Sequence, residues 1–180
     1  KMLGSKIRNK RSEKNMSLKE LAEKIDLTAS FLSQIERDLA EPSITSLRKI
    51  ANALDVPIFY FLMTDEDSSP VVRKNERKTL RFPESHLEYE LLTPDVSRMM
   101  EVFIATLDPE TDGVGELEST HPGEECILIL EGKMEITVGE ETYILEEGDS
   151  IYYFASLPHT VRNAGKKKLV FLSAITPPRF

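Results

Sequence analysis

The side chains best placed to do chemistry lie in residues 18–37, LKELAEKIDLTASFLSQIER. This stretch reads as two short helices joined by a tight turn, with polar residues along the outward face of the second. Hydroxyl, amide and guanidinium groups on one helix face can reach base edges and phosphates. A helix-turn-helix presents such a face to the major groove of DNA. Elsewhere the reactive side chains are few. There are three histidines, His86, His121 and His159, and one cysteine, Cys126, which excludes an internal disulfide and a Cys-cluster zinc site.

The net charge of −8 argues against nucleic acid until it is divided along the chain. Residues 1–64 carry 11 Lys and Arg against 8 Asp and Glu, a net +3, whereas residues 65–180 carry 12 against 23, a net −11. Phosphate neutralisation needs local positive charge, so DNA contact belongs to the first part. A hydrophobic content of 40% with 30% charged residues is ordinary for a folded soluble protein. No apolar run approaches the ~20 residues of a membrane span. The N-terminus lacks the apolar core that follows the basic start of a secretory signal. A cytoplasmic protein with no membrane partner is expected.

The elements that must position these groups follow from periodicity. Over residues 4–63, apolar side chains recur at helical spacing in three stripes: Leu18, Leu21, Ala22 and Ile25; Phe31, Leu32 and Ile35; Leu47, Ile50, Ala51 and Leu54. Ser17 with Glu20 makes a capping box, Thr28 an N-cap, and Ser43 follows Pro42 at the next helix start. Pro57 opens a last short helix at 58–63, for five helices in all. Ala22 lets the two helices of the motif approach closely, and Leu21, Ile25, Leu27, Leu32 and Ile35 supply its small core. Residues 65–79 are polar, contain Pro70 and read as a linker. Beyond them the pattern alternates over 101–107, 127–130, 134–138, 143–145, 151–154 and 169–172. Glycines punctuate these runs, as expected of a β-sandwich or barrel, and Gly139-Glu140-Glu141 reads as a hairpin turn.

Residues 5–62, with SLKELAEKI, SQIER and EPSITSLRKIANAL, resemble the five-helix DNA-binding domain of the lambda-repressor/Cro-like, or Xre, family. Two departures are visible: Asp26 holds the turn position usual for glycine, and Asp38 the glycine usual after the recognition helix. Asp tolerates left-handed backbone better than most residues, so both turns should survive. By matched position, the resemblance places Thr28, Ala29, Ser30, Ser33, Gln34 and Arg37 against DNA. Gln34 is the best base reader, because its amide can pair bidentately with adenine. Ser17 and Lys19 are matched to phosphate contacts. Glu36 matches a partly buried glutamate paired with an arginine, here Arg11.

Residues 80–180 resemble the cupin sensor fused to Xre-type regulators, an all-β double-stranded β-helix or jelly-roll barrel. The likeness rests on residues 121–163, HPGEECILILEGKMEITVGEETYILEEGDSIYYFASLPHTVRN, and on ITPP at 175–178. Metal-binding cupins present two histidines, a glutamate and a third histidine. Here Ser119 stands at the first position, followed by His121, Glu125 and His159. Two histidines and a carboxylate can hold one divalent metal ion as a facial triad with open positions. The same residues can instead bind a small molecule directly or form a hydrogen-bonded network. Ser119, His121, Glu125, Tyr152, Phe154 and His159 are the expected effector pocket. Arg98 and His86 are expected at the surface.

The resemblance thus implies two domains, 1–64 and 80–180, joined by 65–79. The implied function is sequence-specific binding of a double-stranded DNA operator by a homodimer whose cupin domain senses a small-molecule effector. The alternatives are a metal-dependent cupin enzyme with an appended DNA-binding domain, and a helical domain used only for protein contact.

Overall fold

The computed structural model describes residues 3–64, 69–109 and 119–180, and the chain divides into two compact units, Lys1–Thr64 and Asp65–Phe180.

The first unit contains α1 (Leu3–Glu13), α2 (Leu18–Lys24), α3 (Ala29–Glu36) and α4 (Ile44–Ala53). The expected fifth α-helix is a 3-10 helix, Ile58–Leu62. Five residues behind Pro57 barely allow one α-helical turn, and the short 3-10 form seats Ile58, Phe59 and Phe61 fully in the core. The three expected caps form. Ser17 Oγ accepts the Glu20 amide while Glu20 Oε2 accepts the Ser17 amide; Thr28 and Ser43 accept the amides of Phe31 and Ser46. Leu21, Ala22, Ile25, Leu32 and Ile35 are buried between the helices, with Leu47, Ile50, Ala51 and Leu54 from α4.

Both aspartates that replace glycine adopt left-handed backbone, with φ 56° at Asp26 and at Asp38. Asp38 has a further task, since its Oδ1 accepts the Gly4 amide at 3.1 Å and caps the start of α1. A β-carbon on Gly4 would lie 2.3 Å from the Ile35 carbonyl, so α1 and α3 pack in contact there. Glu36, 8% exposed, receives Arg11 in a two-pronged ion pair at 2.6 and 2.9 Å, and Arg11 also donates to the Met16 carbonyl. This pair ties α1 to the C-terminal end of α3.

Among the described residues, the second unit has nine strands in two antiparallel sheets. The larger has the order β1 (Thr79–Phe82), β2 (Leu87–Leu91), β3 (Glu101–Leu107), β9 (Leu169–Thr176), β4 (Glu124–Glu131) and β7 (Ser150–Phe154). The smaller has the order β6 (Glu141–Glu146), β5 (Lys133–Val138) and β8 (His159–Asn163). The sequence pattern anticipates six of these strands. It misses β1 and β2, where charges sit on alternate positions, and β8, whose HTVRN has no apolar run. Gly139, at φ 60°, turns the β5–β6 hairpin. The inner faces of the sheets meet, as where Asn163 Nδ2 donates to the Leu107 carbonyl at 3.1 Å. Buried residues alternate strictly along β2, β3, β5 and β9.

Breaking a buried pair leaves an uncompensated charge, which typically costs about 3 kcal/mol. Glu36→Ala should destabilise the helical unit by that order in denaturant melts followed by helical circular dichroism. An unchanged midpoint would show that the Arg11 contact contributes nothing net.

Candidate functional site: a polar helix face and a buried His-Glu-His cluster

On α3, Ser30, Ser33, Gln34 and Arg37 recur at helical spacing, so they share one face, and all are at least partly exposed. Thr28 and Ala29 open the same helix. Arg37 donates to the Ser33 carbonyl at 3.2 Å, which closes the end of α3 and leaves its remaining donors exposed. Ser17 spends its backbone amide and one hydroxyl lone pair on the capping box. Lys19, exposed on α2, lies 3.8 Å from Glu23. The structure brings the predicted α3 residues together on one face, and Leu39, beyond the end of the helix, is 67% exposed. Leu39 was not singled out in the sequence because a lone leucine in a turn carries no pattern.

The buried cluster lies between the two sheets. His121 Nε2 is 3.3 Å and His159 Nε2 3.6 Å from Glu125 Oε2, and all three residues are buried. Pro122 and Gly123 turn the chain so that His121 faces Glu125. Gly123, at φ 97°, lies so close to the Thr176 carbonyl that an added β-carbon would fall 2.0 Å from it. Ser119 bridges β8 through two backbone hydrogen bonds with His159, so its backbone borders the cluster. Ser173 Oγ donates to Glu125 Oε1 at 2.6 Å.

Tautomers decide what the cluster can hold. His121 Nδ1 faces the Pro122 carbonyl at 3.3 Å and His159 Nδ1 the Leu157 carbonyl at 2.8 Å. A carbonyl only accepts, so both Nδ1 atoms carry hydrogen. In neutral imidazoles, both Nε2 lone pairs then point toward carboxylate oxygen, an arrangement satisfied by a cation between them. The cation is either a proton or a metal ion, and the three donor atoms lie within 4.8 Å of one another. Burial opposes ionisation of Glu125, yet its hydrogen bonds with His121 and Ser173, and the charges of His121 and His159, hold its pKa below the usual carboxylate value. A divalent ion fits this donor set.

Two expected pocket residues point the other way. Tyr152 and Phe154 are 57% and 58% exposed on the outer face of β7, and Tyr153 between them turns inward opposite Glu125. Side chains alternate along a strand, so choosing the wrong parity exchanges all three. Tyr152 instead donates its hydroxyl to Glu124 on the outside. Arg98 pairs with Asp95 at the surface, and His86 is half exposed beside Asp108, both as expected.

Sequence reading missed Glu101. It is fully buried on the inner face of β3, directly opposite Ile175, which on its other side pairs with Glu125. No side chain among the described residues hydrogen-bonds either Glu101 oxygen. Burial, with the nearby charge of Glu125, pushes its pKa up to about 8, against a partial offset from the Phe180 backbone amide. The signal available was its position: a glutamate at an inward place in the alternating run 101–107.

The outer face of the same sheet is apolar. Successive rows across the strands are Phe154, Glu124 and Thr176; Tyr152, Cys126, Ala174 and Val102; Ser150, Leu128, Leu172 and Ile104. Leu130 and Val170 extend it. An antiparallel sheet facing water on one side normally carries polar residues there.

The chain matches two family profiles, one described as Helix-turn-helix over residues 7–61 and one as Cupin domain over residues 103–175. It is 27% identical to the HTH-type transcriptional regulator SutR of Escherichia coli (strain K12), over 99% of this chain and 97% of that one. Its fold is similar to the crystal structure of an HTH_3 family transcriptional regulator from Vibrio cholerae, with TM-score 0.71, 25% identity and coverage of 97% and 94%. The iron(II) form of HppE is a likeness of fold alone, with TM-score 0.52, 19% identity and 97% of each chain covered. Among the described residues, no helix is long and apolar enough to cross a membrane.

The raised pKa of Glu101 has a definite pH signature. The folded state holds this proton up to about pH 8, whereas the unfolded chain releases it near 4.3. The folded state therefore binds more protons between those values, and stability falls as pH rises through that window. Glu101→Gln should remove this slope, at most about 1.4 kcal/mol per pH unit. Urea midpoints measured across the window for both proteins test this, and parallel profiles would refute it.

Proposed function

From a chain that belongs to the helix-turn-helix transcriptional regulators with a cupin domain, we propose that a homodimer reads its operator through α3 and answers to a small molecule held in the β unit. Residues 1–64 act as the DNA-binding part, 65–79 as the linker, and 80–180 as a jelly-roll sensor of double-stranded β-helix type. The observation that carries the DNA side is the shared, solvent-facing row of Ser30, Ser33, Gln34 and Arg37 on a helix capped by Thr28. Gln34 reads adenine, Ser30 and Ser33 contact neighbouring groups, and Arg37, Lys19 and Ser17 hold phosphates. Thr28 and Ala29 pack at the groove edge.

One such face with a local charge of +3 supplies little affinity, so two copies on half-sites a helical turn apart are required. The apolar outer face of the large sheet suits that pairing. Four strands at about 4.8 Å spacing and roughly 20 Å length offer on the order of 400 Å² in plan. Side-chain relief and the polar rim bring this toward the ~800 Å² per partner of a standard interface. A two-fold partner is a second copy of this chain. Coupling between the sensor and the DNA face of ~1–3 kcal/mol would change operator affinity several-fold or more.

The His121, Glu125 and His159 geometry supports a second reading in which a divalent ion sits in the β unit, as in a metal-dependent enzyme. The ion would supply a Lewis acid with open positions. The protein residues would orient it, Ser173 fixing Glu125 and the backbone carbonyls fixing both imidazoles.

Three experiments separate these readings. Gln34→Ala with Arg37→Ala should weaken operator binding in gel shifts at least tenfold; undiminished binding would rule out this face. Leu128→Glu with Phe154→Glu should yield monomers by sedimentation and lose operator affinity, and a monomeric wild-type protein would remove the outer-face dimer. Elemental analysis of protein purified without chelators addresses the metal. Stoichiometric iron or manganese favours the enzyme, while metal-free protein that binds operator DNA excludes it.

A further inference from the structure

We propose that residues 69–78 are a clasp on the β unit. Docked, they leave residues 65–68 as the covalent tether to the helical unit; released, they lengthen that tether to 65–78. The consequence for DNA rests on the paired-copy reading above, whereas the docking stands apart from it.

The segment 69–78, SPVVRKNERK, has the polar character of a free linker, yet its far end lies along β2. The Lys78 carbonyl accepts the Leu91 amide at 2.9 Å, which carries the β1–β2 pairing past its first register pair, Thr79 with Glu90. Arg77 Nη1 reaches Glu90 at 3.5 Å, and both side chains are mostly buried. Between Ser69 and Arg77 the chain makes a 3-10 turn, Lys74–Glu76, in which the Glu76 amide donates to the Arg73 carbonyl. At the near end the Ser69 hydroxyl accepts the Val71 amide.

The fit is close at one end and loose at the other. Val71, Val72, Leu91, Thr93 and Pro94 line a crevice of about 180 Å³, so the two valines forgo dispersion contacts that a filled core would give. Val71 is 50% exposed. Arg77 Nε is buried without a hydrogen-bond partner among the described residues, which costs the docked form. A segment with so few buried contacts opens at low free energy while the strands behind it stay closed. Release adds the ten residues 69–78 to the tether. The range of separations that two tethered heads can span widens with tether length. A docked clasp therefore makes paired copies strict about half-site spacing, and a released one makes them tolerant.

The test uses the full chain. Trypsin reaches Arg73 and Lys74 when the clasp opens, and cleavage follows the open population where reclosing is fast. Lys166, Lys167 and Lys168, between β8 and β9, serve as the internal reference and report that the β unit stays folded. Glu90→Ala removes the partner of Arg77, and Val72→Asp places a charge at the crevice. Each should speed cleavage at Arg73 and Lys74, relative to the reference, about fivefold, the equivalent of one ion pair. Operator fragments selected from random duplex DNA with the wild-type protein are then lengthened between half-sites by about half a helical turn, roughly five base pairs. Gel-shift affinity of the wild type should fall about tenfold on the longer fragment, and that of both variants about threefold or less. Inserting about ten Gly-Ser residues between Ser68 and Ser69 should give the variants' tolerance with the wild-type cleavage rate. Wild-type cleavage at Arg73 and Lys74 as fast as at the reference turn, or unchanged in both variants, would overturn the clasp. Faster cleavage with an unchanged spacing preference would overturn its control of the tether. Absence of DNA binding in every protein, with the expected cleavage pattern, would sink the paired-copy reading and leave the docked clasp supported.

Discussion

A carboxylate buried between two β-sheets must be answered by donors or cations, and the β unit is organised around that requirement at Glu125. Ser173 takes one oxygen, while His121 and His159 converge on the other from a turn and from the opposite sheet. The carbonyls of Pro122 and Leu157 fix which ring nitrogen each imidazole presents. Gly123 permits the turn because its backbone meets Thr176 too closely for any side chain. Remove the charge, and none of these positions has a reason to be polar or so tightly shaped.

Strand alternation explains both what could be read and what could not. HPGEE followed by an alternating run announces a carboxylate beside a histidine, and the structure brings His121, Glu125 and His159 together. The same alternation in SIYYF gives no local sign of which tyrosine faces inward. Register against Glu125 decides it, and register is a property of paired strands. Glu101 escaped notice for a related reason. A glutamate at the start of an apolar run looks like a solvated strand end until β9 closes over it. The edge strand β1 and its neighbour β2 were hidden by Arg81, Glu88 and Glu90, whose charges mask the buried Leu80, Tyr89 and Leu91.

The helical unit was more legible because its signals are local. Capping residues, stripe spacing and the small Ala22 act within a few positions of one another, and all three caps form. Its two exceptions have physical causes. Pro57 and a five-residue run give a 3-10 helix in place of an α-helix. Asp38 departs from glycine, and the departure has a use, since glycine could adopt the same left-handed backbone but could not cap α1 across 34 residues of sequence.

The alternation that misled the reading of SIYYF also bears on how a sensor of this design would work. Strands β4 and β9 carry Glu125 and Ser173 on one face, and Cys126, Leu128, Leu172 and Ala174 on the other. Interior ligand contacts and the surface proposed to meet a second copy are therefore successive residues of the same strands. On the proposed reading, a ligand that draws Glu125 inward would tilt or shift strands whose outer side chains meet the second copy. Packed interfaces switch between discrete arrangements instead of deforming smoothly, so a small interior displacement can select between two pairings. On this reading no relay of intermediate residues is needed: the sheet is one layer thick, and its two faces serve the ligand and the partner.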